Sequence, residues 1–457
     1  MFLRTVILII FYGSYLLFAQ NTEVTYNKIA KKIVQTALGE QKGYALLRDL
    51  CRIGPRLSGY PGSFEAIEWT QELLDSLGCD RVWLQSVMVP HWERGEIEQA
   101  EIIETTDTVY AELIIAALGG SIGTPPDGIT AEVLEVHSFE ELNKKADQAT
   151  GKIIFFNRPF DPTVLHSFAG YGGAVKQRTE GAIHAAQVGA VAAIVRSVTS
   201  KNDNTPHTGV MSYADSLKKI PAAAIGIQDA DFLSEKLKQE PGLRINLRLS
   251  CKNLDPVESY NVVGEIKGSE FPDDIIVVGG HLDAWDKGHG AHDDGTGVIH
   301  SIETIYLLKK LNLKPKRTIR CVLFIDEEQN QSGAKVYGYY ASYINEHHVA
   351  AIESDRGGFT PRGFSVTADS LTVEKISSWL PYLNQASIDW VREGGSGADI
   401  SRINNASALI GYVPDGQRYF DYHHSANDVF DAVHPREFEL GSAAITILTY
   451  LISEEGL

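Results

Sequence analysis

Cysteine is scarce in this chain. The 457 residues hold four, Cys51, Cys79, Cys251 and Cys321, and no pair shows Cys-x-x-Cys spacing. That spacing marks thiolate metal sites and redox motifs, so neither is expected. In an oxidising compartment some of the four can pair, whereas Cys321, within the strand-like run 318–324, reads as a buried free thiol. Positive charge is also in deficit. Lys and Arg number 41 against 59 Asp and Glu, a formal net charge of -18. Such a surface argues against nucleic acid as a partner and against adsorption to an anionic membrane. Internal repeats, low-complexity tracts and long charge runs are absent, which excludes repeat arrays and disordered tails.

What remains is an ordinary globular composition, 44% hydrophobic and 22% charged, with a length that suggests two or three domains. The apolar run Val6–Phe18 follows Arg4 and is closed by Ala19-Gln20 and polar Asn21-Thr22-Glu23. It is short for a membrane span. It reads as a signal peptide over 1–20, with a secreted product, extracellular or periplasmic, and no stable span after its removal.

Helical spacing dominates residues 24 to about 90, and 21–106 reads as the first part of a main domain. From 107 to 254 the composition changes. Gly, Pro and Ala rise around Gly119-Gly120 and Thr124-Pro125-Pro126, and short strands alternate with helices. This segment reads as an insertion. Its runs GKIIFF, GAVAAIV and IPAAAIG resemble, in that order, the protease-associated (PA) domain. Its histidines, His137, His166, His184 and His207, show no ligand spacing and read as surface or packing residues. From 255 to 457 strands and helices alternate, which predicts a largely parallel sheet covered on both faces, an α/β fold.

The chemistry concentrates in that last part. Ile275-Ile276-Val277-Val278, closed by two glycines, reads as a buried strand. His281 and Asp283 stand at its carboxyl end, where open α/β sheets place ligands. Asp293 and Asp294 precede a helix-like run, Glu327 and Glu328 follow the strand ending at Phe324-Ile325, Asp355 follows the strand 349–353, and His424 follows the loop after strand 408–412. Imidazole and carboxylate both suit zinc. Two His and three carboxylates, one bridging, suffice for two metals roughly 3.5–4 Å apart.

The ordered set HLD, HDDGTG, DEEQ, ESD and HHSAND resembles the M28 family of co-catalytic zinc peptidases, and within it the carboxypeptidase Q group. The likeness covers essentially the whole mature chain. It implies a zinc-exopeptidase fold with a mostly parallel central sheet, two Zn per chain, short unblocked peptides as substrates and a homodimer. By the same likeness His281 and Asp355 hold one zinc, Glu328 and His424 the other, and Asp293 bridges. Asp283 orients His281, and Glu327 is the general base. His423 stands where many M28 aminopeptidases carry a tyrosine that donates to the tetrahedral intermediate. It is therefore the first candidate for that donor, with Tyr422 next. Asp294 is expected to cap a helix, Asp428 to tie down the His424 loop, and His289 and His292 to lie at the surface. Asp399 and Arg418 are candidates for gripping a substrate's free termini, set against the plainer reading of both as loop charges. Rival functions are a broader aminopeptidase, a one-metal glutaminyl-cyclase-like acyltransferase and a non-catalytic binding relative.

Overall fold

Val277 and its neighbours sit at the centre of an eight-stranded sheet in the computed structural model, which describes residues 24–104 and 108–457. The expected signal segment lies outside the described residues. The strands are β1 (Arg81–Glu93), β2 (Lys252–Ile266), β3 (Phe271–His281), β4 (Arg317–Phe324), β5 (His347–Glu353), β6 (Pro361–Thr367), β7 (Trp390–Glu393) and β8 (Ala406–Pro414). Their spatial order is β1-β2-β4-β3-β5-β8-β6-β7. The inner four are mutually parallel. The β1–β2, β2–β4 and β6–β8 pairings are antiparallel, so the sheet is mixed at its flanks.

Five helices matter for the site: α1 (Lys42–Ile53), α2 (Pro61–Ser76), α3 (Thr296–Lys310), α4 (Ser332–Tyr343) and α5 (Pro435–Glu455). One face of the sheet is covered by a core that includes α1, α3 and α5, and the other by a smaller core with Ala334, Tyr337 and Ala341 of α4. Covering both faces explains the unbroken β-branched run in β3, since each fully buried Val or Ile contributes about 1.5–3 kcal/mol. Two acids enter the larger core. Glu303 of α3 accepts from Gly43 N–H at 3.0 Å, and Glu439 of α5 accepts from Tyr44 N–H at 2.9 Å. They satisfy the orphan donors at the start of α1.

Register decides where the chemistry falls. His281 pairs with Phe324 and Gly279 with Glu353 across the parallel strands. The carboxyl ends of β3, β4 and β5 are therefore level, and the loops after them open at one edge. Residues 98–249 form a second eight-stranded sheet with its own cores. It begins at Glu98–Ile103, ahead of residue 107. The segment leaves and returns along the β1–β2 ribbon, paired from Arg81↔Glu265 to Glu93↔Lys252. At its base, buried Arg94 pairs with Asp286 at 2.6 Å and Glu98 at 2.8 Å, while Lys287 meets Glu98 at 2.7 Å. This network ties the insertion to the loop after β3. All four cysteines are unpaired, Cys321 fully buried. Among the described residues no helix is long and apolar enough to cross a membrane.

Candidate metal centre

The level strand ends bring the five expected ligands together. His281 Nε2 lies 3.3 Å from Asp293 Oδ1 and 3.4 Å from Asp355 Oδ1. His424 Nε2 lies 2.9 Å from Glu328 Oε2 and 3.4 Å from Asp293 Oδ2. The two oxygens of Asp293 thus face two separate groups. All but Asp355 are buried, and Asp355 is partly so.

Three of the carboxylates carry a buried oxygen without a hydrogen-bond partner: Asp293 Oδ2, Glu328 Oε1 and Asp355 Oδ1. Burial pushes Glu328 well above the ordinary carboxylate range, with Asp293's charge adding to it, and Asp355 also shifts up. Burial alone would lower His281, but the facing carboxylates of Asp293 and Asp355 hold it well above its usual value. Burial, with His423 beside it, takes His424 well below. Crowded, orphaned carboxylate oxygens and two imidazoles with facing nitrogens are a donor set short of cations. Its ligand types suit zinc.

The loop that carries Asp293 is held from behind. Asp428 accepts from His292 N–H at 2.7 Å and Asp293 N–H at 3.1 Å, so it anchors Asp293 as well as its own loop. Asp294 accepts from Gly297 N–H at 2.9 Å, the expected cap, and from His281 N–H at 3.2 Å. The Asp293–Asp294 peptide is cis.

Asp283 departs from its expected role. His281 Nδ1 lies 3.0 Å from the backbone carbonyl of Asp283, whereas the carboxylate is 3.9 Å away. The carboxylate instead accepts from the backbone N–H groups of Glu327 at 3.0 Å and Glu328 at 3.3 Å. It positions the acid pair, and the main chain sets the histidine tautomer.

Glu327 lines a cavity of about 420 Å³ with Asp293, Glu328, Asp355 and His424. Its carboxylate accepts from Gln331 Nε2 at 3.4 Å, and burial raises its pKa to about 8. His423 lines the same cavity and stacks on His424 with ring centroids 3.5 Å apart. Adjacent side chains share this side because His424 has φ 58°, which breaks the extended alternation. His423 Nε2 lies 3.8 Å from Asp293 Oδ2. Tyr422 is not on the cavity wall; it packs against His292 and Phe359. Tyr419 is on the wall, buried and beside Asp293. It was not singled out in the sequence. The available signal was its spacing, one helical turn before His423, whose N–H bonds the Tyr419 carbonyl at 3.0 Å.

Other expectations meet mixed outcomes. His292 is buried and stacked on Phe359 rather than at the surface, while His289 is exposed. Buried His207, from the inserted segment, has Nδ1 at 2.7 Å from the His423 carbonyl. Arg418 is surface-exposed and paired with Glu437 at 3.4 Å, and it does not line the cavity. Asp399 is buried with both oxygens unpartnered, also off the cavity wall. The insertion does reach the cleft: Phe168, Tyr171, Arg178 and Val210 line it.

Known proteins resemble this chain over most of its length. A model described as Peptidase family M28 matches residues 261–447. Carboxypeptidase Q of Bos taurus is 37% identical over 439 residues, covering 94% of this chain and 89% of that protein. The Homo sapiens protein is 38% identical over 437 residues, 93% and 89% of the two chains. Among solved structures, a Peptidase M28 precursor from Shewanella amazonensis SB2B superposes with a TM-score of 0.89 at 33% identity, covering 94% of this chain and 97% of that one. A zinc aminopeptidase from Bacillus subtilis shares the fold, with a TM-score of 0.64 at 19% identity over 93% and 95%.

Proposed function

The chain belongs to peptidase family M28 and is a metallopeptidase, and from that premise we propose that it is a secreted di-zinc exopeptidase of dipeptides or short unblocked peptides. The observation that carries the reading is Asp293, whose two carboxylate oxygens face His281 on one side and His424 on the other. In this reading His281, Asp355 and Asp293 hold one ion, and Glu328, His424 and Asp293 the other. Two bound zinc ions would supply Lewis acidity and a water acidified towards neutrality.

The chain's own residues do the rest. Glu327 takes a proton from the attacking water and returns it to the leaving amine. Asp283 holds the Glu327 backbone and so aims its carboxylate at the cleft. Tyr419 and His423 are the two candidate donors to the oxyanion. The segment that resembles a PA domain narrows the cleft, which supports short substrates, and the N-terminal 1–20 supports secretion. The resemblance to the carboxypeptidase Q group also supports a homodimer, which sizing by light scattering would check.

The test is metal content together with a dipeptide panel, blocked and unblocked at each end. Two zinc per chain and hydrolysis of unblocked dipeptides are expected. One metal per chain with cyclisation of N-terminal glutamine, or no turnover of any peptide, would overturn the reading.

A further inference from the structure

Five arginines are more than nine-tenths buried: Arg56, Arg94, Arg178, Arg196 and Arg320. Four are satisfied. Arg56 donates to three backbone carbonyls. Arg94, Arg196 and Arg320 each meet a carboxylate at 3.1 Å or less. Arg178 is the exception. Its Nη1 lies 3.3 Å from the Thr208 carbonyl and 3.3 Å from His424 Nδ1, and its Nε is buried without a partner. Among the described residues it forms no ion pair, and its Cζ sits 5.6 Å from the centre of the Tyr171 ring.

This guanidinium lines the same cavity as Glu327, Asp293 and His424. The fold makes room for it. Gly209, at φ 128°, has no side chain, and a Cβ there would lie 2.5 Å from Arg178 Cζ and 2.6 Å from His424 Nδ1. An unpaired buried cation is costly unless an anion meets it. A planar fork beside a catalytic cleft matches a carboxylate, which it grips through two parallel hydrogen bonds.

We propose that Arg178, supplied by the inserted segment, binds the free C-terminal carboxylate of the substrate. The proposal rests on the peptidase reading and deepens it. Arg178 is separated from the Asp293–Glu328 side of His424 by one imidazole ring, and one residue of peptide spans only about 3.3–3.6 Å. The carboxylate held there therefore belongs to the residue just after the scissile bond. That makes the enzyme a carboxypeptidase or dipeptidase rather than an aminopeptidase of long chains.

The experiment uses the zinc-loaded full chain and its Arg178→Gln and Arg178→Lys variants. The substrates are a dipeptide, its C-terminal amide and its N-acetyl form. Wild type should favour the free acid over the amide by about 100-fold in kcat/KM, the scale of a charge-assisted pair. Arg178→Gln should erase that ratio through a higher KM for the acid, while the preference between the free and the N-acetylated amino end is kept. Arg178→Lys should keep part of it. A second readout needs no turnover: thermal shift with an N-acetyl amino acid against its amide. If the acid preference in binding vanishes in Arg178→Gln while no variant turns over peptide, the carboxylate site stands and the peptidase reading falls. If peptides are cleaved and Arg178→Gln keeps the preference, or Arg356→Gln, in the neighbouring cavity that shares Phe168 and Asp355 with this one, loses it instead, the proposal is overturned.

Discussion

Removing the Asp283 carboxylate separates two accounts of the centre. If it oriented His281, Asp283→Ala would loosen the ion held by His281 and Asp355. The geometry gives the opposite outcome, since the carboxylate holds Glu327 N–H at 3.0 Å and Glu328 N–H at 3.3 Å while His281 Nδ1 is 3.9 Å away. The substitution strands two buried backbone donors, each worth about 1–3 kcal/mol when left unsatisfied. Loss of roughly 2–6 kcal/mol of stability is therefore expected, with Asp283→Asn, which keeps one acceptor oxygen, in the lower half of that range. The turn that carries Glu327 and Glu328 then drifts, and a misplacement of about 1 Å costs on the order of 10²-fold in rate. The assay is chelator competition for zinc, with kcat on a dipeptide at saturating metal. Asp283→Ala combined with His281→Ala should be additive in metal affinity, whereas combination with Glu328→Ala should not. The reverse pattern, or full kcat at saturating zinc, would refute the reasoning.

Glu327→Gln should retain both ions and the fold while kcat falls about 10²-fold or more, checked by metal analysis beside steady-state kinetics. Tyr419→Phe and His423→Phe should be compared directly: the true oxyanion donor loses about 10²–10³ in kcat at unchanged KM, and its partner much less. Glu439 should make the fold sensitive to alkali. Burial, then the charge of Glu303, raises its pKa from 4.5 to about 10. Between those values the native state holds a proton that the unfolded chain has lost. Stability therefore falls as pH rises through that window, by at most about 1.4 kcal/mol per pH unit, and the penalty is absent below it. Glu439→Gln should then raise the denaturation midpoint at pH 8 and lose that advantage towards pH 5; an advantage independent of pH would show that the acid is not held protonated.

The sequence by itself carried the candidate ligands. His281, Glu328 and Asp355 were legible because each follows a short β-branched or apolar run, Asp293 because it precedes a helix start and His424 because it lies in the loop after a strand, and parallel strands deliver such ends to one edge whatever the details of packing. The inserted segment was legible from its shift in composition and its own strand–helix series. Its first strand, Glu98–Ile103, was not, because membership of one sheet or another is decided by pairing with Arg244–Leu249, far away in sequence. Only the tertiary structure decided side-chain direction and distant contact. The left-handed backbone at His424 turns His423 and His424 to the same side. The Asp283 carboxylate faces the Glu327 and Glu328 amides because β3 and β4 lie side by side in parallel register. Arg178 reaches His424 across 246 residues, through the ribbon that hangs the second sheet over the cleft. Local pattern reports the chain's period and the identity of its groups; which group meets which is set by long-range register and by the volume left open at Gly209.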